Sequence, residues 1–450
     1  MRAAGVQDLL SAYAAGSLDP VAVLARLKGA VATNLAGPEA ILSFVPGAEA
    51  AAETSRRRWA NGNPRPLEGI PFGVKAIIDV AGAAITCGSW LTGDRIAPAD
   101  AEVVASLRQA GAIPFAMTAT TEFAAGSPHN PRHGVVRNPW DRSRWTGGSS
   151  TGSAAALAAG LMPFALGTDT GGSIRVPSCW CGTTGLKPTR ELVSRHGVAT
   201  LSATLDHVGP MARSAADIAK ILPFMTGTSA GSGTPLPEVT GLRIGIFDSW
   251  FTDSVSASVA KNWHTALADL EHAGCTVTTL PAIDIATWHA AGWTILLSEL
   301  AANFGAEIGR ADSLDRGFLA RLEQGLAIPT DAYDSALAIR DIAQHAFAAA
   351  MDGVDLVLTP GIGGEAGRLD SLTVDIDGTP VPFGVIISRN TMLFDLLGLP
   401  ALMLPSGLGS NGMPTGMQIV GRPGDDALCL ALGIAFQSRT AHHLARPPSC

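Results

Sequence analysis

Residues 146–175 read TGGSSTGSAAALAAGLMPFALGTDTGGSIR, and this stretch decides the fold class. Two glycine-rich turns that carry hydroxyl side chains, 146–153 and 167–175, flank an alanine-rich run and an apolar segment. The apolar run 154–166 is shorter than the about 18 residues that span a membrane, and a glycine and a proline interrupt it. It therefore predicts a buried helix followed by a strand, with a turn at either end. That order is typical of an α/β layer fold.

The same alternation of short apolar runs and helical patterns continues on both sides, over residues 67–219. Runs 70–74 and 113–117 predict strands. Between them, apolar positions recur at helical spacing, with Asp100 as the predicted N-cap and Gly111 as the predicted helix end. Further strands are predicted at 242–247, 356–359, 401–404 and 416–421.

The composition limits the class of protein. Hydrophobic residues are 47% and charged residues 16% of 450, which excludes a disordered chain. The net charge of -8 and the lack of any basic run exclude nucleic acid as a direct ligand. Neither a membrane span nor the apolar region of a signal peptide is found, so we expect a cytoplasmic protein. Cys179 and Cys181 lie in an apolar segment and predict buried thiols rather than a metal site.

Both glycine-rich turns have features that an acyl-transfer site needs. A Gly-Gly pair before a serine lets the backbone approach a ligand and point successive N–H groups at one place, as an oxyanion hole requires. The other interpretation is a tight turn whose hydroxyls only cap a helix.

Two shorter motif matches elsewhere in the chain lack the structural context that their motifs require. The G-x-S-x-G match around Ser229 has no strand before it, and in the G-x-G-x-x-G match at 407–412 Pro414 follows where a helix should begin.

A nucleophilic serine needs a base, and no histidine stands near either turn. The histidines form no metal-binding spacing either, so we assign no metal. The chain has only five lysines, and Lys75 differs from the rest because apolar residues surround it on a predicted strand. Burial would lower its pKa from about 10.4 and make it a base. The alternative is a lysine at a strand end that extends its ammonium to water.

With these motifs in place, the sequence resembles the amidase signature family. The resemblance rests on Lys75, on Gly147–Ser150 and on Gly171–Arg175, whose serines Ser149 and Ser173 are 24 positions apart. It extends over nearly the whole chain, through Arg137-Asn138-Pro139-Trp140, Asp206-His207-Val208-Gly209-Pro210, Gly398-Leu399-Pro400 and Pro414-Thr415-Gly416-Met417-Gln418.

The resemblance implies a Ser-cisSer-Lys triad. Ser173 is then the nucleophile, Ser149 the bridging serine on a cis peptide, and Lys75 the base. The backbone N–H groups of the second turn would form the oxyanion hole, at Thr170, Gly171, Gly172 and Ser173. Supporting roles fall to Ser150, expected to hydrogen-bond near Lys75, and to Asp169 and Arg175, expected to pair.

The implied fold is α/β, a single domain with a large mixed twisted β-sheet covered by helices on both faces. This replaces the count of up to three domains that 450 residues would allow. The predicted regions are N-terminal helices over 1–66, the signature core over 67–226, a linker over 227–241, a helical region over 242–350 that roofs the pocket, and a C-terminal return to the sheet over 351–450. No cofactor is implied.

The substrate is the least determined part. The predicted pocket walls are Phe123, Ala124, Trp180, Met392 and Phe394. No carboxylate-binding arginine stands beside Phe123 or Trp180 in sequence, so a neutral small or aryl amide is expected as substrate of an acyl-enzyme mechanism. A carbamate, urethane or biuret-type urea needs no change to the triad and stays open, as does a homodimer. A subunit of the tRNA-dependent amidotransferase A type ranks lower because Thr121 and Pro128–Asn130 depart from the segment those subunits usually have.

Overall fold

One mixed sheet of eleven strands organises the protein, which was obtained as a computed structural model that describes residues 4–227 and 236–448. The strands are β1 Ile41–Phe44, β2 Pro71–Lys75, β3 Ile113–Thr118, β4 Phe164–Asp169, β5 Thr184–Lys187, β6 His207–Ala212, β7 Arg243–Ile246, β8 Thr276–Thr279, β9 Leu356–Pro360, β10 Thr373–Ile376, β11 Thr379–Pro382, β12 Ala401–Leu408 and β13 Pro414–Val420. Their order in the sheet is β1-β3-β2-β4-β6-β5-β12-β13-β9-β7-β8, and β10 and β11 form a separate hairpin.

Fifteen α-helices within the described residues accompany the sheet, which confirms the predicted fold class of a single α/β domain. They are α1 Val6–Ala14, α2 Pro20–Thr33, α3 Gly37–Ala40, α4 Ala48–Ala60, α5 Glu102–Gln109, α6 Thr151–Ala158, α7 Arg175–Cys181, α8 Ala215–Met225, α9 Ala257–His272, α10 Ile285–Phe304, α11 Arg316–Leu326, α12 Thr330–Ala350, α13 Phe383–Ile386, α14 Met392–Leu396 and α15 Asp426–Arg439.

The sheet is parallel near both ends and antiparallel in its middle. Strand β2 pairs in parallel with β3 and β4, and β9, β7 and β8 form a second parallel group. Every residue of β2, β3 and β4 is buried, as expected for parallel strands covered on both faces. The rings of Phe72 and Phe164 stack across β2 and β4 with centroids 4.9 Å apart. Strands β2 and β4 end at Lys75 and Asp169, and because they are parallel, Lys75 and the second predicted turn lie at the same end of the strands.

Two predicted regions are less purely helical than expected. The N-terminal region contains β1, and the region 242–350 contains β8 as well as the predicted strand β7. Both missed strands are four residues long and lie at the two edges of the sheet, and β8 is largely exposed. So short a segment shows no alternation that would separate it from a turn between helices.

Asp100 does not cap a helix, which corrects its prediction. Helix α5 begins at Glu102 with Ala101 as its N-cap residue. Asp100 Oδ1 instead accepts a hydrogen bond from Ala81 N at 2.8 Å, and its other oxygen pairs with Arg108 at 2.8 Å. The carboxylate therefore ties α5 to the loop after β2.

Three further sequence features have a defined outcome. Burial raises the pKa of the Cys179 thiol to about 12, and both Cys179 and Cys181 are free and buried as predicted. Ser229, in the G-x-S-x-G match, and most of the linker lie outside the described residues. Among the helices that are described, none has the length and apolar character to cross a membrane.

Candidate active site

Lys75 ends strand β2 and is completely buried. Its Nζ donates hydrogen bonds to Ser149 Oγ and to Thr168 Oγ1, both at 2.7 Å. Thr168 belongs to β4, which pairs directly with β2, so the register of two neighbouring strands brings this hydroxyl to the lysine. The structure thus assembles a lysine held by two hydroxyl groups.

Burial lowers the pKa of Lys75 to about 7. The negative charges of Asp169 and Asp206 act in the opposite direction and keep the pKa from falling further. A lysine in this range is neutral in a large fraction of molecules near pH 7, and only the neutral amine can accept a proton. The environment therefore gives Lys75 the properties of a general base.

The loop that carries Ser149 precedes helix α6. The peptide bond between Gly148 and Ser149 is cis, the conformation that the resemblance implied. Gly147 has a φ of 79°, which favours glycine. A Cβ on Gly148 would lie 2.7 Å from the Trp145 ring, so a side chain at this position would press on the pocket wall.

The second loop runs from β4 to helix α7 and carries Ser173. Ser150 N donates to Ser173 O at 3.1 Å, which joins the two loops directly. Ser149 and Ser173 both line the same pocket, and Ser173 is half-buried. The structure therefore places Ser149 and Ser173 in one pocket wall, with Lys75 buried behind Ser149 at hydrogen-bond distance.

One of the four predicted oxyanion donors is already engaged. Gly172 N donates to Asp169 Oδ1 at 2.6 Å, because the Asp169 carboxylate folds back under the loop. The amides of Gly171 and Ser173 meet no acceptor within the described part of the chain. Both residues line the pocket, so their N–H groups fit the oxyanion role better than that of Gly172.

Asp169 and Arg175 form the predicted ion pair, with both side chains fully buried. Arg175 Nε donates to Asp169 Oδ2 at 3.0 Å, and a terminal nitrogen donates to Oδ1 at 2.9 Å. Burial alone would raise the pKa of Asp169, yet the Arg175 charge holds that pKa below its usual range. Arg175 also donates to Asp395 Oδ2 at 2.5 Å. The pair therefore fixes the Ser173 loop to α14.

Ser150 hydrogen-bonds to the backbone of Thr168, the residue whose hydroxyl accepts from Lys75 Nζ, and so lies near Lys75 as expected. Its Oγ donates to Thr168 O and accepts from Thr168 N, both at 3.3 Å. Thr168, which the sequence analysis missed, makes the direct contact with the lysine. A threonine inside an apolar strand gives no signal of this role until the strand pairing is known.

The pocket has a volume of about 400 Å³, suited to a small molecule. Ala124 and Met392 line it as predicted. Phe123, Trp180 and Phe394 do not, and their prediction as walls is wrong. Phe123 packs on Phe304 and Phe318, Trp180 donates its indole N–H to Gly364 O, and Phe394 stacks on Phe251. Trp180 and Phe394 are core residues, and the half-buried Phe123 packs against the core.

Other residues of the wall were missed because they come from distant elements. Trp293 and Leu296 of α10 and Arg321 of α11 line the pocket, in agreement with the predicted roof. Asp206, quoted in a motif without a role, accepts a hydrogen bond from Thr170 Oγ1 at 2.7 Å, and burial raises its pKa to about 6.

Comparison with known proteins gives consistent matches. A family model described as Amidase matches residues 30–430. The chain is 33% identical to the A subunit of the glutamyl-tRNA(Gln) amidotransferase from Methanosarcina barkeri, over 92% of this chain and 93% of that protein. It is similar to a crystal structure of an amidase, with a TM-score of 0.90, 30% identity, and coverage of 97% of this chain and 100% of that one. It is also similar to native peptide amidase from Stenotrophomonas maltophilia, with a TM-score of 0.82, 28% identity, and coverage of 99% and 98%.

Proposed function

This chain belongs to the amidase signature family, and from that premise we propose that it cleaves the C–N bond of small amides through an acyl-enzyme on Ser173. One observation carries the proposal. Lys75, with a pKa lowered to about 7 by burial, contacts the hydroxyl of Ser149, which lines the same pocket as Ser173. This arrangement supplies a base, a relay and a nucleophile, the three groups that serine acyl transfer needs.

In the proposed mechanism, neutral Lys75 accepts the Ser149 proton while Ser149 accepts the Ser173 proton. A hydroxyl can do both because it is a donor and an acceptor. The Ser173 oxygen then attacks the substrate carbonyl, and the amides of Gly171 and Ser173 donate to the oxyanion. Each such donor typically contributes about 3 to 4 kcal/mol to the transition state. The relay returns the proton to the leaving nitrogen, and water repeats the sequence on the acyl-enzyme.

Thr168 has a defined part in this scheme. Its hydroxyl accepts a hydrogen bond from Lys75 Nζ at 2.7 Å, and it keeps the amine directed between two hydroxyls. Asp206 holds Thr170 at the start of the oxyanion loop through the 2.7 Å hydrogen bond between their side chains. Both are positioning residues, since neither lies between the base and the nucleophile.

The relatives named as amidotransferase subunits favour a second candidate function, in which the chain releases ammonia from glutamine within a larger assembly. The places where this sequence departs from the usual amidotransferase segment weigh against it. Two of them, Thr121 and Pro128, lie in the pocket wall, where they would contact the substrate. The stand-alone amidase is therefore the function we favour.

The test is a substrate panel with the purified chain and no added partner, ATP or metal. The panel contains an acyl p-nitroanilide, an O-alkyl N-aryl carbamate, biuret and glutamine, with Ser173→Ala as control. We expect turnover of the anilide that the control lacks. A preference for the carbamate or biuret would place the enzyme among carbamate or urea hydrolases. Turnover of glutamine alone would replace the proposal by the second candidate.

A further inference from the structure

Arg321 is a charged residue in the wall of the pocket, on helix α11. One terminal nitrogen donates to Ala125 O and approaches Gly126 O at 3.5 Å. The guanidinium carbon lies 5.9 Å from the centre of the Trp293 ring, which belongs to the same wall. These contacts fix the guanidinium at the pocket, and among the described residues no hydrogen bond is made by its other nitrogens.

No acid within the described residues forms an ion pair with Arg321. Asp315, the N-cap of the same helix, raises the Arg321 pKa against the effect of burial, but its own oxygens are engaged. Asp315 Oδ1 accepts from Ser127 N and Phe318 N, and Oδ2 accepts from Ser127 Oγ, at 2.6 to 2.9 Å. A guanidinium stays protonated in proteins, so a positive charge without a matching carboxylate lies beside the pocket.

The rest of the wall carries no charge. Of the described residues that line the pocket, Arg321 is the only one with an ionisable charge near pH 7, and neither an aspartate nor a glutamate is among them. The wall otherwise consists of apolar side chains, hydroxyls, the carboxamide of Gln324 and backbone. A half-buried charge in such surroundings attracts an anion strongly, because water screens the interaction less than at an open surface.

We propose that Arg321 binds a carboxylate of the substrate and makes the enzyme selective for amides that carry a negative and no positive charge. A planar guanidinium matches a carboxylate in geometry and can donate two parallel hydrogen bonds to it. The inference rests on the proposed amide hydrolysis, whose nucleophile lines the same pocket. It differs from the sequence-based expectation of a neutral substrate, which considered only arginines adjacent in sequence.

The same reasoning separates two sources of a substrate carboxylate. A monoanionic amide, such as the half-amide of a dicarboxylic acid, satisfies Arg321 and leaves no other charge in the pocket. Glutamine also has a carboxylate, but its ammonium group would enter a wall without an acid to receive it. Desolvation of an unpaired ammonium opposes binding. The structure therefore favours the monoanion over the zwitterion.

The experiment compares succinamate with 4-methylpentanamide, in which an isopropyl group replaces the carboxylate, and with glutamine. Ammonia release is measured for the wild type, Arg321→Gln and Arg321→Lys. The matched control is Arg316→Gln, which removes the same charge from an exposed position on the same helix. We expect wild-type kcat/KM to be about 10- to 100-fold higher for succinamate than for 4-methylpentanamide, the effect of a hydrogen bond to a charged group.

Arg321→Gln should abolish that ratio mainly through KM, Arg321→Lys should retain part of it, and Arg316→Gln should leave it unchanged. An equal loss for both substrates in Arg321→Gln would mean that Arg321 only fixes the 125–126 backbone, and it would overturn the inference. A wild-type preference for glutamine would do the same.

A binding measurement distinguishes the proposed hydrolysis from the proposed role of Arg321. Isothermal titration calorimetry measures the binding of each amide to the Ser173→Ala variant, which cannot form the acyl-enzyme. Tighter binding of succinamate than of 4-methylpentanamide, lost in Ser173→Ala/Arg321→Gln, supports the role of Arg321 whether or not the amide is cleaved. Selective binding without any hydrolysis by the wild type would contradict the proposed function alone. Hydrolysis without selectivity would contradict the inference alone.

Discussion

At the residue scale, the proposed chemistry depends on one lysine that the fold keeps away from water. Lys75 Nζ has only hydroxyl partners, Ser149 and Thr168, and no carboxylate within the described residues contacts it directly. A carboxylate at hydrogen-bond distance would stabilise the ammonium and remove the base. Asp169 and Asp206 are near enough to raise the pKa of Lys75 but are held by other partners. The lysine is therefore buried without being neutralised by an ion pair.

This pKa predicts how activity depends on pH. Because only neutral Lys75 can accept the relayed proton, kcat/KM should rise with pH through a single ionisation at about pH 7. Asp206→Asn removes a negative charge that raises the Lys75 pKa, so it should move the midpoint to lower pH. The measurement is kcat/KM for a p-nitroanilide from pH 5 to 9 in both proteins. A flat profile, or activity that falls as pH rises through 7, would contradict the role of Lys75.

The same shift predicts the sign of a stability effect. In the unfolded chain Lys75 keeps its proton up to about pH 10.4, whereas in the folded protein it loses the proton near pH 7. Between these values the unfolded state binds more protons, so the Lys75 contribution to the free energy of unfolding increases with pH. In urea unfolding, the free energy of unfolding of Lys75→Met should exceed that of the wild type by more at pH 7 than at pH 10. A constant difference would mean that Lys75 has an ordinary pKa.

Sequence could identify residues that stand in recognisable turns, but not those that only pairing brings together. Lys75 could be identified because the chain has few lysines and this one stands among apolar residues. Ser149 and Ser173 could be identified from their glycine-rich turns and from the spacing that the family has. Thr168 is 93 positions from Lys75 and reaches it only through the register of β2 with β4. Arg321 is farther still from the turns. Three-dimensional neighbours of this kind leave no local pattern.

At the scale of elements, close packing at the start of α6 positions the Ser149 loop. A Cβ on Gly152 would lie 2.3 Å from Ala119 N and 2.3 Å from Ala40 O. Both are backbone atoms, one beside the end of β3 and one at the end of α3, and neither can rotate away. The helix therefore approaches its neighbours more closely than any residue with a side chain would allow.

Gly152→Ala should lower the free energy of unfolding by about 1 to 3 kcal/mol or more, because overpacking against backbone forces the helix to move. The matched control is Gly29→Ala in α2, where a Cβ meets nothing within 4 Å. That substitution should stabilise the protein by roughly 0.5 to 1 kcal/mol, since alanine is the better helix former. Urea unfolding midpoints measure both. Equal effects of the same sign would contradict the packing account.

Element boundaries show which patterns sequence can interpret. The predicted strands at 70–74 and 113–117 match β2 and β3 within one residue at each end, because buried parallel strands are continuous apolar runs. The edge strands β1 and β8 escaped prediction. Their pairing comes from the neighbouring strand, and only one of their eight residues, Ile41 of β1, is buried.

At the scale of the molecule, the two halves of the chain share one sheet and one site. Strand β5 pairs with β12, so the C-terminal strands continue the sheet that holds the loops of Ser149 and Ser173. Arg175 joins the Ser173 loop to Asp395 on α14 and to Gln418 on β13. Chain length alone allowed up to three domains, and only the family resemblance predicted one. The chain forms one domain because the sheet continues without a break from β5 to β12.

The central claim, that Ser173 is the activated nucleophile, can be tested by fluorophosphonate labelling followed by peptide mass spectrometry. We expect one adduct per chain, located on Ser173, with its formation rate rising through pH 7 as Lys75 loses its proton. Ser173→Ala should remove the adduct, and Lys75→Ala should slow its formation by orders of magnitude while the protein stays folded. An adduct that persists in Ser173→Ala, or that maps to Ser149 or Ser229 in the wild type, would contradict the account.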